Sequence, residues 1–114
     1  MVESQTELNT NRMNQLGKFA ELLPEIFGQV RNLTNEVYKD AELSCKVKRL
    51  MALAVALGAG TSNCTLGQAM YALENGATKE EILETISVVV SMRGTTGMAE
   101  SLRIVQLLDE LGKL

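Results

Sequence analysis

Cys64 is the residue of this chain whose type and position could support covalent chemistry. It follows an apolar stretch and a turn of small residues in RLMALAVALGAGTSNC, and a new helical pattern begins around it. The free N–H groups and the dipole of a helix N-terminus stabilise a thiolate, which is the nucleophilic form of cysteine. Cys64 is therefore a candidate catalytic residue. The alternative is that it packs at a helix junction, because free cysteine is among the most buried residue types.

Polar residues around the same turn indicate a second kind of chemistry, the binding of a small anion. Arg49 precedes the turn, Thr61 lies within it, Gln68 follows Cys64 by one helical turn, and Arg93 begins the segment RGTTG. Arginine side chains and helix N-termini both bind carboxylates and phosphates. These four residues are candidate ligand-binding residues. The alternative is that Arg49 forms an ion pair with an acidic side chain and that Gln68 is only a polar residue on a helix flank.

The absence of histidine is the most informative feature of the composition. It excludes Ser-His, Cys-His and histidine–metal mechanisms within one chain. The two cysteines, Cys45 and Cys64, do not have the spacing of metal ligands or of a disulfide framework. No metal and no cofactor are predicted.

The charge and hydropathy of the chain exclude further classes of partner. A net charge of −3, with only two tyrosines, two phenylalanines and no tryptophan, argues against nucleic-acid binding. The polar start MVESQTELNTNRMNQ lacks the apolar core of a signal peptide. The longest apolar stretch, LMALAVALGAG, is shorter than the roughly 20 residues of a membrane-spanning helix. A cytoplasmic protein with no membrane and no nucleic-acid partner is predicted.

An apolar period of 3.6 residues runs through the chain without an alternating strand pattern, which predicts an all-α fold. We predict a compact bundle of about six helices in a single domain over residues 1–114. The first helix is predicted from Thr10 to Pro24, and Pro24 also opens the second helix. The last helix is predicted to follow the break at RGTTG and to end at Gly112.

Short-range signals predict the bounds of the middle helices. Ser44 is a predicted N-cap, GAG at residues 58–60 a stop, and TKEE at residues 78–81 a capping box. The apolar stripes expected on one side of each helix are Met13, Leu16, Phe19 and Leu23; Ile26, Phe27, Val30, Leu33 and Val37; Val47, Leu50, Met51, Ala54 and Leu57; Leu66, Ala69, Met70 and Leu73; Ile82, Ile86, Val89 and Val90; and Met98, Leu102, Val105, Leu108 and Leu111.

Residues 37–112 resemble the carboxymuconolactone decarboxylase-like family, which includes the alkylhydroperoxidase AhpD. The segments VYKDAELSCKVKRLMALAVALGAGTSNC and ALENGATKEEILETISVVVSMRG are similar in order and spacing to that family's central helix, cysteine-bearing turn and capped helix. The resemblance implies an all-α domain that assembles into trimers or hexamers. It also implies an oxidoreductase activity of the peroxiredoxin type, which depends on a thiol.

The motif of the peroxidase members is degenerate in this chain. Those members carry a glutamate, a first cysteine, a second cysteine and a histidine at fixed spacing. The corresponding residues here are Arg49, Thr61, Cys64 and Gln68, so only the second cysteine is present. The resemblance therefore implies that peroxidase turnover is reduced or lost, because the resolving cysteine and the acid–base residues are replaced.

Three functions follow from these observations. The first is a family member with a degenerate redox motif that binds a small anionic molecule. The second is a one-cysteine, thiol-dependent hydroperoxide reductase that uses Cys64. The third is a purely structural partner of a complete paralogue. We expect a homo-oligomer in each case, because the run ISVVVSM is apolar on more sides than one small domain can cover. The resemblance implies that it is a trimer or a hexamer.

Overall fold

The computed structural model describes residues 2–114 and is built from α-helices joined by short turns. The helices are α1 (Gln5–Leu22), α2 (Pro24–Val37), α3 (Cys45–Ala59), α4 (Ser62–Glu74), α5 (Lys79–Arg93) and α6 (Thr95–Glu110). No strand occurs in the described range, so the predicted all-α bundle of six helices is confirmed. None of these helices is long and apolar enough to cross a membrane.

The predicted caps of the middle helices are confirmed. The Ser44 side chain accepts a hydrogen bond from the Val47 N–H, and Gly60 ends α3 in the left-handed conformation with φ of 74°. Thr78 and Glu81 form the reciprocal capping box of α5. The Thr78 N–H, and after it the Lys46 ammonium, lower the pKa of the Glu81 carboxyl from its ordinary value.

The first helix begins at Gln5, so the predicted start at Thr10 was wrong. Glu110, at the end of α6, accepts hydrogen bonds from the backbone N–H groups of Gln5 (2.8 Å) and Thr6 (3.0 Å). The Ser4 hydroxyl donates to the same carboxylate at 2.7 Å. Free N–H groups at a helix N-terminus need such acceptors. Here the Ser4 side chain accepts from the Glu7 N–H, and the second acceptor, Glu110, lies at the opposite end of the chain.

The core lies between α3, α4, α5 and α6. Its largest fully buried side chains are Leu53, Leu57, Leu66, Ile82, Ile104, Leu107 and Leu108. α1 packs against α4 and α6, whereas α2 has α1 as its only extensive neighbour in the described range. No residue of α2 is buried. The second helix therefore stands away from α3 and α4 and leaves a cavity between them.

The predicted inward stripe of α6 was wrong at three of its positions. Met98, Leu102 and Val105 are exposed, and α6 instead buries a face that includes Gly97 and Ser101. A Cβ added at Gly97 would lie 3.0 Å from Val89 Cγ1, so the glycine permits the close approach of α5 and α6. The buried side of this helix therefore combines two small residues with the apolar side chains of Ile104, Leu107 and Leu108.

Apolar side chains stay exposed on other helices as well, against several of the predicted stripes. Leu57 and Leu66 are buried as predicted. The exposed members of the predicted stripes outside α6 are Met13, Leu16, Phe19 and Leu23, followed by Ile26, Val30, Leu33 and Val37 in α2 and by Val47 and Met51 in α3. The stripes of α1 and α2 do not find a cover within one chain, because these two helices lie outside the four-helix core.

Candidate functional site

Arg49 is the centre of the site, and its guanidinium lies against two tyrosine rings. The Arg49 Cζ is 3.5 Å from the centroid of the Tyr38 ring and 4.3 Å from that of Tyr71. These are cation–π distances, and the planar guanidinium stacks well on aromatic faces. Arg49 Nη1 donates a 3.0 Å hydrogen bond to Gln68 Oε1, whereas Arg49 Nε is buried without a partner.

The turn at Gly60 explains why these residues meet. α3 and α4 form a helical hairpin around this glycine, and Arg49 and Tyr71 lie the same number of residues before and after it. Gln68 precedes Tyr71 by three residues and therefore shares its helix face. Tyr38 comes from elsewhere, as the C-cap of α2, where its N–H donates to the Thr34 carbonyl.

The Arg49 cavity, which we define as the space between α2 and the α3–α4 hairpin, has a volume of about 400 Å³. Arg31, Arg49 and Gln68 contribute polar groups to its wall, and Leu16, Phe27 and Val30 contribute apolar ones. No acidic residue lines it among the described residues. This volume lies within the usual range of small-molecule sites.

A second cavity of about 380 Å³, here called the Arg12 cavity, opens between α1 and α4. Arg12, Cys64, Gln68 and Tyr71 are in its wall, which also contains no acidic residue in the described range. The Arg12 Cζ lies 5.8 Å from the centroid of the Tyr71 ring. Gly67 leaves room for this arginine, since a Cβ there would be 2.9 Å from Arg12 Cζ.

Three of the five arginines, Arg12, Arg31 and Arg49, therefore surround two adjoining cavities. In residues 2–114 none of the three pairs with a carboxylate, although the chain has a net charge of −3. The alternative prediction, an ion pair of Arg49 with Glu42 or Glu80, is thus not realised within this part of the chain, and an ion pair with another subunit stays a prediction. The walls of the two cavities therefore carry positive charge that no carboxylate in the described residues neutralises.

Cys64 lies in the first turn of α4 and is exposed, rather than packed in the interior. It lines the Arg12 cavity, and it also lines a third cavity together with Thr61 and Gln68. Thr61 is the N-cap residue of α4, but its side chain makes no capping hydrogen bond. The thiol is therefore accessible from two cavities that share Gln68.

A model of the Carboxymuconolactone decarboxylase family matches residues 24–107. The chain belongs to this family. The match begins at the first residue of α2 and covers the Arg49 cavity apart from its wall on α1.

The chain is also similar to individual proteins over most of its length. The chain is similar to an uncharacterized protein of Cupriavidus necator, with 26% identity over 106 residues, which cover 93% of this chain and 90% of that protein. It is 34% identical over 79 residues to uncharacterized protein 4 in the cox locus of Paracoccus denitrificans, covering 69% and 71% of the two chains.

A solved structure extends the likeness to the fold. The crystal structure of apo-lpg0406, a carboxymuconolactone decarboxylase family protein from Legionella pneumophila, superposes with a TM-score of 0.86 at 26% identity. The match covers 93% of this chain and 95% of that one. The order and packing of the helices are therefore those of a carboxymuconolactone decarboxylase family protein.

The structure brings together most of the candidate residues named from the sequence. Arg49 and Gln68 are in direct contact, and Thr61, Cys64 and Gln68 share a cavity. Arg93 is different, because it lies exposed at the C-terminal end of α5 and lines neither the Arg49 cavity nor the Arg12 cavity.

Sequence reasoning missed four residues of the site: Arg12, Arg31, Tyr38 and Tyr71. Two signals were available for some of them. Gly67 lies in the interior of a predicted helix, where glycine often marks a close approach of another group, and that group is Arg12. Tyr71 is one helical turn from Gln68.

Proposed function

We propose that this carboxymuconolactone decarboxylase family protein is a cytoplasmic, oligomeric binder of a small anionic molecule, with peroxidase turnover reduced or lost. The observation that carries the proposal is the position of Arg49. Its guanidinium lies in the wall of a 400 Å³ cavity, held by Tyr38, Tyr71 and Gln68, with no carboxylate beside it in the described range.

The electrostatics of the cavity favour an anion. A guanidinium has five N–H donors, and Gln68 accepts from one of its nitrogens. Arg31 adds a second positive charge to the same wall. Charge-assisted contacts of arginine to a carboxylate or phosphate contribute on the order of 1.5–3 kcal/mol.

Thermal stabilisation by a panel of small carboxylates and phosphates tests the proposal. We expect the wild type to be stabilised and the Arg49→Glu variant to lose this ligand-induced shift, because the variant places a carboxylate in the cavity wall. The shift, rather than the melting temperature itself, is the relevant measurement, since Arg49→Glu also removes the contacts with both tyrosines.

Arg93→Glu is the matched control, because it makes the same charge reversal at an exposed site outside both cavities. It should keep the shift caused by the anions. Equal responses of the wild type and Arg49→Glu, or no response in either, would overturn the proposal. An equal loss in both variants would show that net charge, and not the cavity, controls the response.

A one-cysteine hydroperoxide reductase is the second candidate, and the exposure of Cys64 favours it. The thiolate would attack the peroxide, giving a sulfenic acid and an alcohol, or water when the substrate is hydrogen peroxide. An external thiol would then form a mixed disulfide with release of water, and a second thiol would restore Cys64. Every step after the first depends on external thiols, because Thr61 stands at the position of the resolving cysteine.

Steady-state peroxide consumption with a dithiol reductant separates the two candidates. Under the binding proposal the wild type consumes peroxide no faster than Cys64→Ser. A rate clearly above that of the Cys64→Ser control would favour the reductase, and detection of a sulfenic acid on Cys64 would support it further.

Exposed apolar side chains on several helices support the oligomeric part of the proposal. Leu33 of α2 is 64% exposed, Val55 of α3 is 72% exposed and Met92 of α5 is 80% exposed. Where such side chains form a contiguous apolar patch, the patch usually marks an interface. A trimer or a hexamer would cover these side chains with copies of the same chain.

A further inference from the structure

The wall of the Arg49 cavity changes from apolar to polar along α2, and this change restricts the class of ligand. We infer that the anion is the carboxylate of an apolar acid, with an alkyl or aryl-alkyl tail that lies along α2. The inference rests on the proposed function and deepens it, because it assigns a separate role to the apolar part of the cavity.

One face of α2 forms the long wall of the cavity. The residues of this face follow each other at the three- and four-residue spacing of a single helix side, and they are Phe27, Val30, Arg31, Thr34, Asn35 and Tyr38. With a rise of about 1.5 Å per residue, the distance from Phe27 to Asn35 is about 12 Å. An extended chain of roughly eight carbons fits within this distance.

The two ends of that wall differ. Phe27 and Val30 line the cavity near the start of α2, and Phe27 also contacts the Phe19 ring of α1 with a centroid distance of 6.4 Å. At the other end, Tyr38 lies against the Arg49 guanidinium, which in turn bonds Gln68. An apolar tail therefore suits the Phe27 end, and a carboxylate suits the Arg49 end.

Arg31 does not alter this polarity. Its Cζ lies 6.0 Å from the centroid of the Phe27 ring, so its guanidinium covers an aromatic face at the edge of the apolar part. Arginine stems commonly lie along apolar surfaces while the charged group reaches solvent. Thr34 and Asn35 continue the polar end with neutral groups that could hydrogen-bond a carboxylate oxygen.

A chain-length series of sodium carboxylates, from acetate through butanoate and hexanoate to octanoate, tests the inference by calorimetric titration of the wild type. We expect affinity to rise about fourfold for each added methylene, which is the effect of burying it. Octan-1-ol and inorganic phosphate are the two further probes. The alcohol should bind at least about tenfold more weakly than octanoate, because it lacks the charged group.

Val30→Gln and Leu33→Gln are matched variants for the same titrations. Both residues are exposed positions of α2, 53% and 64%, so neither change should unfold the protein, but only Val30 lines the cavity. Val30→Gln should weaken octanoate binding several-fold and leave acetate unchanged, whereas Leu33→Gln should change neither. Circular dichroism confirms that each variant is folded, and the wild-type series decides the question even if one is not.

Each alternative result has a definite meaning. Equal affinities across the series would refute the binding of an apolar tail but leave anion binding intact. Octan-1-ol binding as tightly as octanoate would refute the requirement for a carboxylate. Binding of phosphate in preference to every carboxylate would overturn the inference but leave the proposed function intact, and failure of all anions to bind would remove both.

Discussion

The contact between Arg49 and Tyr38 should be measurable as a coupling energy, and it should hold α2 in place. α2 has α1 as its only extensive neighbour in the described range, so the Tyr38 ring on the Arg49 guanidinium is a main link between α2 and the core. The perturbation is a double-mutant cycle with Arg49→Met and Tyr38→Leu. Arg49→Met removes the guanidinium but keeps an unbranched side chain, and Tyr38→Leu removes the aromatic ring but keeps an apolar side chain.

The geometry sets the magnitude. A cation–π contact contributes about 0.5–1 kcal/mol when exposed and about 2 kcal/mol or more when desolvated. Arg49 and Tyr38 are both half-buried, and the Cζ lies only 3.5 Å from the ring centroid, so we expect a coupling of about 1–2 kcal/mol. The hydrogen bond to Gln68 is lost in both variants that lack Arg49 and therefore cancels in the cycle.

Urea unfolding of the wild type, the two single variants and the double variant, all at one protein concentration, gives the coupling energy. Hydrogen exchange shows which helix the coupling stabilises. Arg49→Met should speed exchange in α2 more than in α3, because the loss of 1.4 kcal/mol of local stability corresponds to about a tenfold change. Tyr38→Phe is the control that keeps the ring and should change stability by less than about 0.5 kcal/mol. A coupling below about 0.3 kcal/mol would refute the reasoning, because values of that size are found for residues that do not interact.

Three further expectations concern stability and assembly. Gly97→Ala should destabilise the fold by about 1–2 kcal/mol in urea unfolding, because the added Cβ would meet Val89. Gly17→Ala, which has open space around it, should instead stabilise the fold by about 0.5–1 kcal/mol. A change of the same sign in both variants would contradict the packing argument. Hydrogen bonds from Ser4, Gln5 and Thr6 lower the pKa of Glu110 from 4.5 to about 2, so its stabilising effect is complete above pH 4.5 and is lost as the pH falls towards 2. The difference in unfolding free energy between the wild type and Glu110→Gln should therefore be constant near neutral pH and shrink in acid. A difference that grew on acidification would contradict the lowered pKa of Glu110. Light scattering at micromolar concentration should give a trimer or a hexamer, and a stable monomer of 12.4 kDa would remove the oligomer proposal.

The sequence by itself determined the class of fold and the bounds of the middle helices. Ser44, Gly60 and the pair Thr78 and Glu81 each act on backbone groups no more than a few residues away. Such signals are complete within one short segment, so they can be interpreted without knowledge of the rest of the chain. The order of these segments was also sufficient to indicate the carboxymuconolactone decarboxylase family.

Only the tertiary structure decided the features that depend on distant partners. At the start of α1 the local N-cap Ser4 is joined by Glu110, which accepts the Gln5 N–H group from 105 residues away, and a long-range polar contact of this kind leaves no trace in hydrophobic periodicity. The buried side of α6 combines Gly97, where α5 approaches closely, with Ile104, Leu107 and Leu108, so it differs from the stripe predicted from the sequence. The same holds for the site, since Arg49 could be named as a candidate from the sequence, but its contacts with Tyr38 and Tyr71 require α2, α3 and α4 to be in place.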